Sequence, residues 1–259
     1  MKLVVIGGAF AGLELLLQVS GRRSAYESVT LIDKRGEHSY TPLIHEALTA
    51  RLTPSQVTMQ LGPWMERTFG GRFIQQAATQ VVPGPQGKVV VASGEEVPFD
   101  VLVLATGSAH RLEDLRRDGA IAHVGAMKFT NDVPIMKRAL GAEQGPRRVT
   151  VIGDGLTGVE LAAELALHAR QTQRRLEVKL VGREELPLGY MSVKLRQKAN
   201  QALLDLGVQR SIERLAAPPE SAGEPEGAEE LLVWATGTAP QSLPAGLART
   251  PGGFFAVDR

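Results

Sequence analysis

No cysteine occurs in the 259 residues. Disulfides, thiolate metal sites, iron–sulfur clusters and any dithiol relay are therefore excluded for this stretch of chain. An excess of charge is also missing. The net charge is +1 at pH 7, so no global field points to nucleic acid or an anionic membrane as partner. No run of 18 apolar residues exists, and no transmembrane segment is expected. The opening MKLVVIGGAFAGLELLL sets a lysine before apolar residues, as a secretory signal does. Gly7-Gly8 and Glu14 interrupt it, and SGRRSAYES is a poor processing site, so a cytoplasmic protein is the default. His38, His45, His110, His123 and His168 have no partner ligand at metal-binding spacing, and no metal site is expected. There is no G-x-S-x-G elbow and no Ser/His/Asp signature, which argues against acyl transfer.

What remains is an ordinary globular composition, 43% apolar and 22% charged, in a length that favours about two domains of ~150 residues. The first informative stretch is VVIGGAFAGLE (4–14). A β-branched apolar run meets Gly7, Gly8 and Gly12, then the helical period of LELLLQV, whose Leu13, Leu16 and Leu17 make one apolar face. This is a strand, a glycine turn and a helix, the arrangement that cradles a pyrophosphate at a helix N-terminus. Ala9, followed by Phe10 and Ala11, stands where the second glycine usually falls.

Residues 149–165, VTVIGDGLTGVELAAEL, repeat the pattern with all three glycines, Gly153, Gly155 and Gly158. The first glycine makes the turn. The second lets the backbone approach the pyrophosphate, and the third lets the helix pack on the strand. The following helix carries Val159, Ala162, Ala163 and Ala166 on one face. One such fingerprint is a weak signal. Two, each after a β-branched strand, suggest two dinucleotide-binding units.

The second strand of each unit tests that reading. SVTLIDKR (28–35) ends at Asp33, 21 residues after Gly12, where an acidic residue takes the ribose hydroxyls. Lys34 follows it. In LEVKLVGREE (176–185) the equivalent position is Gly182, with Arg183 next. Loss of the acid removes repulsion of a 2′-phosphate, and an arginine pairs with one, so the second site leans towards NADPH. Glu184 and Glu185 blur that leaning.

VPFDVLVLATGS (97–108) and LLVWATGTAP (231–240) also echo each other, as buried strands ending in Ala105-Thr106-Gly107 and Ala235-Thr236-Gly237. VVPGPQGKVVVASGEEVPFD (81–100) reads as a β-meander. LAAPPESAGEPEGAEE (215–230) reads as a polar surface loop. Two dinucleotides in one chain suggest hydride transfer between them.

In this order the motifs, with HSYTPLIHEAL (38–48), resemble the flavin-dependent pyridine-nucleotide oxidoreductases. They are most similar to the type II NADH dehydrogenase branch and its apoptosis-inducing-factor-like relatives. The resemblance implies an α/β fold of two Rossmann-like, three-layer domains, the second inserted into the first. Residues 1–112, with 245–259 returning, would be the FAD-binding domain and 113–244 the NAD(P)H-binding domain. FAD would lie on Gly7, Gly8, Ala9, Phe10, Ala11, Gly12, Asp33 and Lys34, with Thr41 and Pro42 near the isoalloxazine and Ala105, Thr106 and Gly107 at the flavin crossover. NADPH or NADH would lie on Gly153, Gly155, Gly158, Arg183 and Gly237. Glu160 would sit between nicotinamide and flavin, and with Pro42 makes the catalytic pair.

Without cysteine the disulfide-reductase and sulfide:quinone-reductase routes are closed. Electrons would pass from flavin directly to a small quinone-like acceptor. The family's third flavin motif, ending in Gly-Asp, and the flavin-covering region after it are absent from these residues. The FAD domain is therefore expected to be incomplete at its C-terminal end, with a sheet edge and an apolar face uncovered. A partner chain or a homodimer would cover that face. The resemblance adds a peripheral place at the inner face of a membrane to the cytoplasmic default. Three readings stand at this point: an FAD-dependent NAD(P)H oxidoreductase, a binder of one dinucleotide with little catalysis, and a fold with two tight glycine turns and no ligand.

Overall fold

The computed structural model describes residues 1–110, 124–125, 133–134, 137, 140, 147–213, 230–236, 238–240 and 244–247. The polar segment 215–229, and Gly237 of the second Ala-Thr-Gly turn, lie outside the described residues. The described strands are β1 (Lys2–Ile6), β2 (Ser28–Ile32), β3 (Glu37–Ser39), β4 (Thr58–Gln60), β5 (Arg72–Ile74), β6 (Ala78–Val82), β7 (Lys88–Val91), β8 (Glu96–Pro98), β9 (Val101–Leu104), β10 (Ser108–His110), β11 (Val124–Gly125), β12 (Arg148–Ile152), β13 (Glu177–Gly182), β14 (Gln209–Ile212), β15 (Glu230–Trp234) and β16 (Thr238–Pro240). The described helices used below are α1 (Phe10–Ser20), α2 (Ile44–Leu48), α3 (Leu61–Phe69), α4 (Leu156–Gln171) and α5 (Val193–Asp205). The chain divides into two compact units. The first is Met1–Ser39, Thr58–Ala109 and Ala239–Arg259, and the second is Tyr40–Val57 and His110–Thr238. The first unit is thus discontinuous, with the second inserted into it.

In the first unit a parallel sheet runs in the order β5-β2-β1-β9. Side chains alternate between the two faces of each strand, so a central strand covered on both sides must be apolar throughout. Leu3, Val4, Val5 and Ile6 of β1 meet that demand. Leu3 and Val5 face one way, with Val29 and Leu31, against Leu13 and Leu16 of α1 and Leu61, Met65 and Phe69 of α3. Val4 and Ile6 face the other way, with Ile32 and Ile74, against Val81, Val89, Val91 and Val97 of the antiparallel sheet β6-β7-β8. That sheet is the meander expected from its Pro/Gly turns. Helices, parallel sheet and antiparallel sheet make three layers. Two details differ from the sequence reading. Leu17 is 51% exposed, because α1 is covered only along the stripe through Leu13 and Leu16. β9 is half-buried, because it is the outermost strand of its sheet among the described residues.

The second unit carries a parallel sheet in the order β11-β15-β12-β13-β14. Val149, Val151, Val178, Leu180, Leu231 and Val233 build one face, and Leu161 and Leu165 of α4 and Leu203 of α5 cover it. Ala162 and Ala166 are buried on α4 as their small-residue face predicts, whereas Val159 and Ala163 are only partly buried. α4 begins at Leu156, which puts Glu160 just beyond the first helical turn.

Candidate dinucleotide sites

Both glycine turns leave the C-terminal end of a central parallel strand, the place where α/β sheets bind ligands. Gly7 has φ of +111° and Gly153 φ of +117°, a region that favours glycine. Each is fixed by its neighbours in the same way. Gly7 N–H donates to Ile32 C=O at 2.8 Å, and Gly153 N–H donates to Val181 C=O at 2.8 Å. A Cβ on Gly7 would lie 2.1 Å from the Ala105 carbonyl oxygen, and one on Gly153 would lie 2.5 Å from Thr236 Cγ2. The two Ala-Thr segments therefore close over the two turns. Ala105 N–H donates to Ile6 and Ala235 N–H to Ile152, each at 2.8 Å.

The third glycine of each turn brings the helix onto the strand end. A Cβ on Gly12 would lie 1.9 Å from Gly7 O, and one on Gly158 would lie 1.7 Å from Gly153 O. Neither α1 nor α4 has a side-chain cap or an acidic residue in its first turn, so no side chain competes for the first helical amides. The second position answers the question of Ala9. Its φ of −92° and ψ of −167° match Gly155 at −74° and −177°. This is extended backbone that alanine adopts without strain. A methyl added at Gly155 meets nothing within 4 Å. In both turns the third glycine brings the helix N-terminus against the first glycine, and the space beside the second position of the second turn is open, so the residues present fit the pyrophosphate of a dinucleotide.

The hydrogen bonds from Gly7 and Gly153 align the two units, pairing Ile32 with Val181 and hence Asp33 with Gly182. Asp33 is buried. Its Oδ2 accepts Gly8 N–H at 2.7 Å and its Oδ1 accepts Arg35 N–H at 2.8 Å. Asp33, Lys34, Gly7, Thr106 and Pro244 line one open cleft in the first unit. Gly8 is buried, Ala11, Lys34 and Gly107 are exposed, and Gly107 has φ of +67°. Phe10 is 46% exposed and meets the His38 ring edge-on at 4.8 Å. His38 Nδ1 is buried with no partner among the described residues. Burial holds its pKa below the usual histidine range, aided by Arg35 and opposed by the Gly8 backbone and Asp33.

In the second unit Thr41 and Pro42 form a short 3-10 turn, Thr41–Leu43, leading into α2. His45 Nδ1 on α2 lies 4.0 Å from Glu160 Oε2, whose side chain is 43% exposed. One turn along α4, Glu164 is buried. It accepts Thr49 Oγ1 at 2.5 Å and Arg51 Nη1 at 2.8 Å. The segment holding Pro42 is thus fixed to the helix holding Glu160. Motif reading passed over His45, Thr49, Arg51 and Glu164. The signal for them was the carboxylate pair four residues apart in VELAAEL, which puts both on one helix face. Arg183 is exposed beside Gly182.

Two parallel-sheet units, each opening with the same glycine turn, define a two-domain dinucleotide-binding fold. The chain belongs to the pyridine nucleotide-disulphide oxidoreductase family, whose model matches residues 1–259. It is 25% identical to a type II NADH:quinone oxidoreductase of Haemophilus influenzae, over 91% of this chain and 64% of that protein. It is 29% identical to a nitric oxide reductase FlRd-NAD(+) reductase of Vibrio vulnificus, over 65% of this chain and 43% of that protein. The fold is similar to that of NDH2 from Plasmodium falciparum in complex with NADH, with a TM-score of 0.75 and 17% identity, covering 93% of this chain and 55% of that one. The chain spans about half the length of the curated relatives it matches. Among the described residues, no helix is long and apolar enough to cross a membrane.

Proposed function

We propose that the chain is an FAD-dependent oxidoreductase, or the nucleotide-binding part of one. It takes a hydride from NAD(P)H and passes electrons to a quinone-like acceptor without a redox disulfide. The observation that carries this reading is the recurrence of one turn geometry in two units, each with a third glycine whose Cβ would lie under 2 Å from a backbone carbonyl oxygen. The first unit holds FAD and the second NAD(P)H. Gly7, Gly8, Ala9, Phe10, Ala11 and Gly12 present the turn and helix amides to the FAD pyrophosphate, with Asp33 and Lys34 at the adenosine end and Ala105, Thr106 and Gly107 closing the turn. Gly153, Gly155 and Gly158 do the same for the nicotinamide nucleotide, with Arg183 and Gly237 at its rim.

Bound flavin and nicotinamide supply the hydride chemistry, and the protein supplies orientation and electrostatics. Glu160, with His45 Nδ1 4.0 Å from its Oε2, is the polar group of this reading beside the nicotinamide. Pro42 stiffens the turn that leads to His45. The quinone-like acceptor is supported by the name of the Haemophilus relative and by the absence of cysteine. A second reading, a protein holding one nucleotide only, is favoured by Asp33, whose carboxylate is already engaged by Gly8 and Arg35.

The absorption spectrum of the purified protein, before and after anaerobic addition of NADH or NADPH, separates the two. Flavin absorbance that bleaches with the nucleotide is the expected result. A protein that stays colourless after incubation with FAD, yet binds a nicotinamide nucleotide, leaves the one-nucleotide reading.

A further inference from the structure

The two units carry the same two residue types at the same two places, but exchanged. In the first, the residue after the opening glycine is Gly8 and the strand-end residue is Asp33. In the second, they are Asp154 and Gly182. The hydrogen bonds to Ile32 and Val181 set this alignment independently of any motif. In both units the two positions touch. Gly8 N–H donates to Asp33 Oδ2 at 2.7 Å. A Cβ built on Gly182 would lie 2.2 Å from Asp154 Oδ2, 2.6 Å from its Cγ and 2.9 Å from its Cβ. An aspartate's own oxygen lies roughly 2.4 Å from its Cβ at ordinary bond lengths. Asp154 Oδ2 is therefore at about the reach that the oxygen of an aspartate at 182 would have.

The Asp154 carboxylate is held in place yet keeps its acceptor capacity. Asp154 C=O accepts Leu188 N–H at 2.8 Å, which fixes the turn from the far side. Its nearest cation among the described residues is Arg210 Nη2, 3.7 Å from Oδ2 and beyond hydrogen-bond reach. Arg210 lies on β14 next to β13 and is nine-tenths buried. It is anchored by Asn200 Oδ1 at 2.9 Å and by the Glu184 and Glu185 carbonyls. Asp154 is one-fifth exposed. A carboxylate with no hydrogen bond from the described residues, backed by a fixed guanidinium, offers its lone pairs to a donor from outside.

We infer that Asp154 is the ribose-reading acid of the second site, acting from the glycine turn in place of a strand-end residue, and that the site takes NADH in preference to NADPH. The inference rests on the second turn holding a nicotinamide dinucleotide, and it names which one. A vicinal diol donates two hydrogen bonds to a carboxylate, whereas a 2′-phosphate is repelled by it. The NADPH leaning drawn from Gly182 and Arg183 is replaced, because the charge missing from the strand end is restored in space by the turn.

The test is direct binding of NADH and NADPH to the purified chain, by titration calorimetry or quenching of protein fluorescence, without turnover. The parent is expected to bind NADH at least about tenfold more tightly than NADPH. Asp154→Asn is expected to lower that ratio by about tenfold, since it removes the charge and keeps the shape. The exchange variant, Asp154→Gly with Gly182→Asp, rebuilds the arrangement of the first unit and is expected to restore the preference for NADH. A parent that binds NADPH as tightly as NADH overturns the inference, as does an unchanged ratio in Asp154→Asn. If neither nucleotide binds, the assignment of the second turn falls and this inference falls with it.

Discussion

Replacing Gly158 with alanine separates the structural use of a glycine in these turns from its use in binding. The new Cβ would lie 1.7 Å from the Gly153 carbonyl oxygen and 2.9 Å from the Gly153 carbonyl carbon. Ordinary contact requires them to part by roughly 1.5–2 Å. The obstacle is backbone, tied by Gly153 N–H to β13 at 2.8 Å, so no side-chain rotation relieves it. Overpacking of this kind costs about 1–3 kcal/mol, and a clash with fixed backbone belongs at the upper end. Exchange of glycine for alanine in a helix returns up to about 1 kcal/mol. The expected net loss is about 2 kcal/mol, read as a fall in urea midpoint at unchanged slope. Gly155→Ala is the control. Its φ of −74° suits alanine and its Cβ meets open space, so stability should hold within about 0.5 kcal/mol. Its methyl stands where the pyrophosphate would approach, so nucleotide affinity should fall. A Gly158→Ala protein as stable as the parent would refute the close approach. So would a Gly155→Ala protein that loses as much stability as Gly158→Ala.

Two further outcomes follow from buried polar groups. Thr49→Val removes the hydroxyl that donates to buried Glu164 and should cost about 1–3 kcal/mol by urea denaturation, while a loss near zero would show that Glu164 does not depend on it. His38 is held neutral by burial, so the unfolded chain takes up its proton first as pH falls. Stability should therefore decline below the unfolded histidine pKa of about 6.5, and His38→Gln should flatten that decline; a parallel decline in both proteins would assign it to other groups.

Much of the fold could be read from the chain because the demands on it are local. Leu3–Ile6 is a continuous apolar run because that central parallel strand is covered on both faces, and the pattern is visible without coordinates. The positive φ of Gly7 and Gly153 likewise falls where the strand-to-helix junctions demand it. Leu17 was misread because periodicity gives the width of an apolar face but not how much of it the neighbours cover. Glu164 was passed over for the opposite reason. A glutamate on a helix reads as solvated until Thr49 and Arg51, more than a hundred residues away in sequence, are seen to satisfy it. A buried carboxylate without such partners would be expensive, so the pair makes Tyr40–Val57 part of the second unit's interior order, not a loop laid over it.

Asp154 shows where a motif loses information. In a glycine fingerprint the residue between the first two glycines is free, and the strand-end residue is judged on its own. Folded, these two positions share one small volume. A Cβ at 182 and a carboxylate at 154 cannot both occupy it. The choice is therefore joint: glycine on the turn with an acid on the strand, as at Gly8 and Asp33, or the reverse, as at Asp154 and Gly182. Judged separately, Gly182 signals a missing charge. Judged together, the charge has moved to the other side of the same contact, and the chemistry that a ribose would meet there has hardly changed.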